Sequence, residues 1–573
     1  MKKNWEESGN FTKVRIQVMV SLSSLNITSA KQRSFKSSLA LAKAFANRDT
    51  NSPPRSLLKK VEEFCDLLNE IGKDSVHMGK YRHDGEMLGD ILYRIAKGYI
   101  TSPDLRLAYL GKLAEVHTEA NAHAEAALCR LHQAKLVAEF LMYKNALSYT
   151  DIVLPVIWNT CSPTLNEKEI AEEGCLREDG VCQGPEFSVM GLVGLLEQSL
   201  DHYKDAKMYE TVNEVAKVLL PIYEKEVLFD NLAMTHKNIG NCFEELGRLT
   251  KSGKRLTASY FRVAFFGKKF GDLDGLEFVY KEKPATSLAE IAARFSDAYA
   301  KEFGEDFRLI QDSGTVDRSK IDELKAHVQV TYVEPYFEEN DERPKASQLI
   351  RLSRFVFETP YTLSGKAHGS VDQQHKRKTV LTTESSFPHL KKRLMVVSRR
   401  EIDLSPIEVS IEAIRNRNTQ LRTAVEANPP NAKNLQIVLQ GSVRLQVNAG
   451  PLEIARVFLS EESIGNFLDT QVQELKRAFQ EFVNLCQRSL ELNKELIASD
   501  QVEYHEDLME GYRELRKILL PLLRADCKGA DKLVSHISPK GLDLRQISES
   551  ILSFVVGPQA SGASPAVLDF LRS

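Results

Sequence analysis

Long apolar runs, paired cysteines and a dominant charge sign are what this chain has least of. No stretch of its 573 residues stays apolar long enough to span a bilayer. The opening Met1-Lys2-Lys3-Asn4-Trp5-Glu6-Glu7 lacks the apolar core of a secretory signal. The eight cysteines (Cys65, Cys129, Cys161, Cys175, Cys182, Cys242, Cys486 and Cys527) include no CxxC pair and are too thinly spread for a disulfide framework. A reducing, cytoplasmic location is the resulting expectation. A formal net charge of -3 gives no general reason to bind nucleic acid.

The usual signatures of chemistry are missing too. Lys251-Ser252-Gly253-Lys254-Arg255 has the look of a phosphate loop, but without the first glycine and without Ser or Thr after the lysine. There is no HExxH. His117 and His123 are six residues apart, on different faces of a helix, and Cys129 with His132 lacks two further ligands, so no metal site is expected. Cys486 sits in an apolar stripe and reads as a buried structural thiol. One basic cluster stands out: His375-Lys376-Arg377-Lys378 with Lys391, Lys392, Arg393, Arg399 and Arg400. It reads either as a charged sheet edge or as a surface for an acidic partner.

What the chain does have is helical periodicity, interrupted once. Apolar residues at 42% and charged residues at 27% suit a globular protein, and the length exceeds what one core can serve. From about Ser56 to Phe270 the pattern reads as helical, with Met87, Leu88, Ile91, Leu92, Ile95 and Ala96 on the 3.6-residue period. Between about Asp322 and Ile402 it changes to strands: Ala326 to Val333, Leu352 to Thr359, Lys378 to Thr383 and Lys392 to Val397. After Pro406 helices return. Val472, Leu475, Phe479, Phe482, Cys486 and Leu490 form one stripe, and Tyr504, Leu508, Tyr512, Leu515, Leu519 and Leu522 another, with Ser499-Asp500 between. The fold class expected is therefore mainly α with a smaller antiparallel β lobe. Its parts would be a flanking segment (1–55), a helical-repeat-like array (56–300), a β-sheet lobe (301–405), an antiparallel helical bundle (406–525) and a flexible tail (526–573).

Within the bundle, Leu435 to Leu459 is the most informative stretch. Leu435, Val438 and Leu439 repeat at helical spacing, as do Leu452, Ala455, Phe458 and Leu459. Between them lie Gly441 and Asn448-Ala449-Gly450-Pro451, residues that break and restart helices. Two readings stay open on the residues alone: one helix with a projecting insert, or two ordinary helices joined by a loop.

Long ordered motifs then identify a family. They include Leu92-Tyr93-Arg94-Ile95-Ala96-Lys97-Gly98-Tyr99, Tyr260-Phe261-Arg262-Val263-Ala264-Phe265-Phe266-Gly267, Val333-Glu334-Pro335-Tyr336-Phe337, Thr359-Pro360-Tyr361-Thr362-Leu363, Thr379-Val380-Leu381-Thr382-Thr383 and the interrupted helix. Together they resemble the DOCK (dedicator of cytokinesis) family over its catalytic DOCKER domain, from near Trp5 to about Ala525. Pro406-Ile407-Glu408-Val409 and Val438-Leu439-Gln440-Gly441-Ser442-Val443 are similar to the zizimin-related branch.

The resemblance implies a guanine-nucleotide exchange factor for Rho-family GTPases of the Rac or Cdc type. It implies a homodimer through the helical array and a GTPase held by the β lobe and bundle. By motif, Val447 is the nucleotide sensor, with Asn448 and Gly450 beside it. Ile437, Gln440, Gly441, Arg444, Thr382 and Thr383 would contact the GTPase. Ile437 stands where family members carry methionine or leucine, and Arg444 where the branch carries a small residue. No cofactor is implied, since the Mg²⁺ and GDP belong to the partner. The family's upstream lipid-binding region does not occur in this chain, so the expectation is either a fragment or shortened form, or peripheral recruitment to the plasma membrane that depends on other parts and partners. Two alternatives carry different expectations: a helical scaffold without exchange activity, and a membrane-surface adaptor using the basic cluster.

Overall fold

A computed structural model describes residues 1, 3, 5, 11–25, 27–48, 55–82, 84–147, 158, 161–166, 169–170, 176, 181–252, 258–338, 351–365, 369–427, 429–443, 450–498 and 501–524. They fall into two compact units, one of residues 1–361 with 375–404 and one of residues 362–374 with those from 405 onward.

The first unit opens with helices α1 (Thr12–Ser24), α2 (Ser29–Arg48), α3 (Arg55–Lys80), α4 (Gly85–Gly98), α5 (Pro103–Glu119), α6 (His123–Tyr143), α7 (Val189–Asp205), α8 (Tyr209–Lys225) and α9 (Phe229–Ser252). Local chemistry sets their limits. Asp84 accepts from the Met87 amide at 2.9 Å and caps α4. Pro103 occupies the first turn of α5, where its missing N–H costs nothing. Helix α6 shows little amphipathic bias because its residues from Ala124 to Ala138 are buried on nearly every side. Its alanines (Ala124, Ala126, Ala127) let neighbouring helices approach closely.

A sheet follows, and it begins earlier than expected. Strand β1 (Ser259–Phe266) corrects the reading of a helical pattern as far as Phe270. Every one of its residues is buried: Phe261, Val263 and Phe265 enter one core, and Tyr260 enters another. A strand covered on both faces shows no alternation, and periodicity cannot separate it from a buried helix. The other strands are β2 (Glu277–Glu282), β3 (Phe307–Ile310), β4 (Ala326–Pro335), β5 (Leu352–Tyr361), β6 (His375–Phe387) and β7 (Arg393–Leu404), with helix α10 (Leu288–Phe303) between β2 and β3. The order is β1-β2-β7-β6-β5-β4-β3, and β1 also pairs with β4, so six strands close into a circuit. All pairs are antiparallel except β3–β4. Closure leaves β3 outside the circuit and spares the remaining strands an open edge.

The sheet is anchored on the helices of the same unit. The β6–β7 connection inserts Leu390 into the helical core, where His117 Nε2 meets the Leu390 carbonyl at 2.7 Å. Glu125 of α6 pairs with Lys281 of β2 at 2.6 Å, and Asp90 of α4 accepts from Arg393 of β7 at 2.7 Å.

The second unit is built from α11 (Pro406–Val425), α12 (Ala432–Val443), α13 (Pro451–Leu459), α14 (Asp469–Leu496) and α15 (Val502–Arg524). Ser405 and Glu408 form a reciprocal capping box at the start of α11. One core joins Ile407, Ile411 and Ile414 to Leu435 and Leu439, to Ala455, Phe458 and Leu459, and to the stripes of α14 and α15. Val371, from the 362–374 excursion, packs into the same core. The fold is mainly α with a smaller, largely antiparallel β region, as expected. The Ser499-Asp500 cap and the tail from Asp526, including its 557–565 stretch, lie outside the described residues.

Candidate functional site

The stretch with the expected interruption forms two helices, α12 and α13, with 444–449 between them outside the described residues. Leu435 and Leu439 on α12 are fully buried, and so are Ala455, Phe458 and Leu459 on α13. Both halves are therefore locked into one core. The restart is sharply defined. Gly450 is buried, with φ -72° and ψ 167°, and its carbonyl accepts from the Ile454 amide at 3.1 Å. Pro451 takes the first helical position. At the other end, the Ser442 hydroxyl donates back to the Val438 carbonyl at 2.7 Å. Such back-bonding competes with the helix ladder and suits a helix that is about to stop.

Of the residues the sequence pointed to, Val447, Asn448 and Arg444 lie outside the described residues. Ile437 is on the surface of α12, 61% exposed, while its neighbours Leu435 and Leu439 point inward. Gln440 is exposed beside it. Gly441 lies inside α12, and a Cβ there would meet the Arg417 guanidinium of α11 at 3.4 Å, an ordinary contact. An exposed β-branched aliphatic residue at mid-helix adds nothing to the core, so its position is free to serve a partner.

Thr382 and Thr383 belong to β6, in the other unit. Thr382 is half-buried. Thr383 is buried, and its hydroxyl donates to the Ser385 carbonyl at 2.6 Å, an internal use. The register of β6 against β7 shifts between these two: Thr382 opposes Ser398 and Thr383 opposes Val396. Val397 is thereby bulged out, 57% exposed. Bulges re-aim side chains next to working surfaces. Nothing in the sequence singled out Val397, because a bulge is a property of pairing and not of one strand.

The basic cluster is largely neutralised. Lys376 meets Glu358 at 2.8 Å, Arg377 meets Asp403 at 2.7 Å, and Arg399 meets Glu401 at 2.8 Å. The first two are cross-strand charge pairs, and the third joins residues two apart on β7. Arg393 is buried against Asp90. The histidines and cysteines weighed as ligands mostly have other employment. His132 lies 2.7 Å from Glu169 through Nδ1 and 3.0 Å from Thr164 through Nε2. Cys486 is wholly buried in α14, and burial pushes its thiol well above the ordinary range.

Comparison with known proteins bears on the whole chain. The family described as DHR-2, Lobe A matches residues 90–248; DHR-2, Lobe B matches 313–386; and DHR-2, Lobe C matches 420–522. Human dedicator of cytokinesis protein 8 is 41% identical over 530 residues, covering 91% of this chain and 25% of that protein. Human dedicator of cytokinesis protein 7 is 42% identical over 530 residues, with the same coverage. Mouse dedicator of cytokinesis protein 6 is 40% identical over 552 residues, 95% of this chain and 26% of that protein. The chain spans about a quarter of the length of these curated relatives.

Proposed function

The chain belongs to the dedicator of cytokinesis family and spans its DHR-2 region, and on that premise we propose that it is a guanine-nucleotide exchange factor for a Rho-family small GTPase of the Rac or Cdc type. The observation that carries the reading is the match of all three lobes in chain order, with the interrupted helix inside the third.

Exchange of this kind needs no acid, base or nucleophile on the factor. A GTPase holds GDP partly through a Mg²⁺ that demands near-octahedral oxygen coordination. Val447, which lies in the sequence between the two anchored helices α12 and α13, would occupy a coordination position without offering a lone pair. The under-coordinated cation leaves, the phosphates lose their screening, and GDP dissociates. By linkage, nucleotide that rebinds expels the factor. Asn448 and Gly450 would let the insert turn back into α13. Gln440, Gly441, Arg444 and Thr382 of β6 would contact the GTPase, while Thr383, buried with its hydroxyl given to the Ser385 carbonyl, would support that strand from within. Ile437 would read the GTPase side chains that separate Rac from Cdc types.

The same reading includes a homodimer through the helical array, supported by the exposed Met190 on α7 and Phe229, Met234 and Phe243 on α9. It also places the protein in the cytoplasm with peripheral recruitment to the plasma membrane. No helix among the described residues is long and apolar enough to cross a membrane.

The test is release of fluorescent GDP from purified Rac-type and Cdc-type GTPases by the parent chain and by Val447→Ala. Accelerated release, slowed by the substitution while GTPase binding persists, supports both the activity and the sensor. Equal loss of binding would make Val447 structural. No acceleration of any Rho-family GTPase by a folded chain would replace the exchange reading with a scaffold.

A further inference from the structure

Turns at two helix ends bring together three side chains that lie far apart in sequence. His123 is the first residue of α6, and His202 and Asp205 lie in the last turn of α7. His123 Nδ1 faces His202 Nδ1 at 3.5 Å and Asp205 Oδ2 at 3.8 Å, and one ligand atom from each residue falls within 4.8 Å of the others. We propose that His123, His202 and Asp205 form a binding site for a transition-metal dication of the zinc class within the helical array.

The distances carry the argument. A tetrahedral ion with metal–nitrogen bonds of about 2.0–2.1 Å holds its two imidazole nitrogens about 3.3–3.4 Å apart. The 3.5 Å between the two Nδ1 atoms is that spacing, and it is long for a hydrogen bond between them. Closing Asp205 from 3.8 Å requires only a rotamer adjustment of an exposed carboxylate. Two imidazoles and a carboxylate suit zinc-class ions and not Mg²⁺ or Ca²⁺, which take oxygen ligands. The fourth position would hold water.

The backbone already presents these groups. Residues 202 and 205 are three apart and share a helix face. Ser199, one turn earlier on α7, donates to the Ala127 carbonyl of α6 at 3.0 Å in the buried interface, and Ala127 is one turn beyond His123. That bond fixes the register of the two helices next to the cluster. Both adjoining turns are tight: Asn121 at φ 53° precedes α6, and Lys207 at φ 57° follows α7, where the Met208 amide reaches the Tyr203 carbonyl at 2.9 Å. The C-terminal end of α7 also favours a cation. Arg130 is the nearby opposing charge, and Asp201 partly offsets it.

Zinc chloride titrated calorimetrically into the chelator-treated full chain tests the site, with Co²⁺ absorption as a second readout. The expected result is one ion per chain and the intense visible bands of four-coordinate cobalt. Affinity should fall by more than about a hundredfold in His202→Ala and in Asp205→Asn, beyond the roughly 10–100-fold that outer-shell losses typically cost. Asp205 is exposed, so its variant will fold, and an unchanged metal-free melting curve establishes this for both. Binding that the two variants leave unaltered, or cobalt bands of six-coordinate type, would overturn the proposal. So would the absence of binding at tenfold excess of zinc over protein.

Discussion

Replacing Asp90 by asparagine should cost the first unit about 3 kcal/mol, and the structure says why. The Arg393 side chain is 3% exposed and that of Asp90 is 11% exposed, with Nε and Oδ2 2.7 Å apart. A guanidinium does not lose its proton in a protein. Burial opposes its charge, but Tyr280 and Asp90 hold the pKa well above even the ordinary arginine value. Asp90→Asn therefore strands a buried cation. Breaking such a pair from one side typically costs about 3–5 kcal/mol. The lower end applies, because the Tyr280 hydroxyl still accepts at 2.7 Å and the Phe278 ring lies 4.6 Å from the guanidinium carbon.

Intrinsic fluorescence is the right assay, since the chain's two tryptophans, Trp5 and Trp158, both fall in the first unit. With an m-value of about 3 kcal/mol/M, the urea midpoint should drop by about 1 M. The paired substitution Asp90→Leu with Arg393→Met removes both charges and should recover most of the loss, as apolar replacement of a buried ion pair often does. A single-variant cost below about 1 kcal/mol, or a double variant no better than the sum of its parts, would refute the idea that this pair clamps β7 to α4.

Two other substitutions separate binding from folding and expose acid sensitivity. Ile437→Asp should leave stability within about 0.5 kcal/mol, because the side chain is mostly in solvent. If it contacts the GTPase as proposed, the variant should weaken that binding by about 2 kcal/mol or more, roughly thirtyfold, in a surface-binding measurement. Glu169 tests the buried network of the helical array. Burial alone would raise its pKa, but His132 and then Arg106 hold it at about 2. Its folded pKa lies below the ordinary 4.5, so its stabilisation is complete above about pH 4.5 and disappears as pH falls toward 2. The difference amounts to about 3 kcal/mol at 1.36 kcal/mol per unit. Urea midpoints measured across that window should fall steeply for the parent and much less for Glu169→Gln; parallel slopes would show that Glu169 does not drive the acid response.

The helical stripes of α14 and α15 were legible because each buries one face only, so that burial and sequence period coincide. Strand β1 was not, for the opposite reason: both faces are covered, and Arg262 is buried among apolar neighbours with Glu277 and Gln329 for partners. Its polar residue reads as a surface position until the pairing is known. Strand β3 contributes only four residues and sits outside the circuit, too short to show a period.

Sites differ in legibility by the same logic. The break between α12 and α13 was legible because its signals, Gly441, Gly450 and Pro451 among apolar repeats, lie within one stretch of chain. The cluster of His123, His202 and Asp205 is assembled by the packing of α6 on α7, which brings together two histidines 79 residues apart; His117 and His123, expected on different faces of one helix, lie instead on two helices, at the end of α5 and the start of α6. His117 points instead to the Leu390 carbonyl of the sheet connection. Two histidines six apart have thus been given to two different neighbours: one helps hold the sheet on the helices, and the other faces a second helix. Spacing along a helix excludes partners on the same helix, but it is silent about which helix comes to meet each face. For that reason local motifs do not mark clusters at helix ends, where tight turns bring distant residues within a few ångströms.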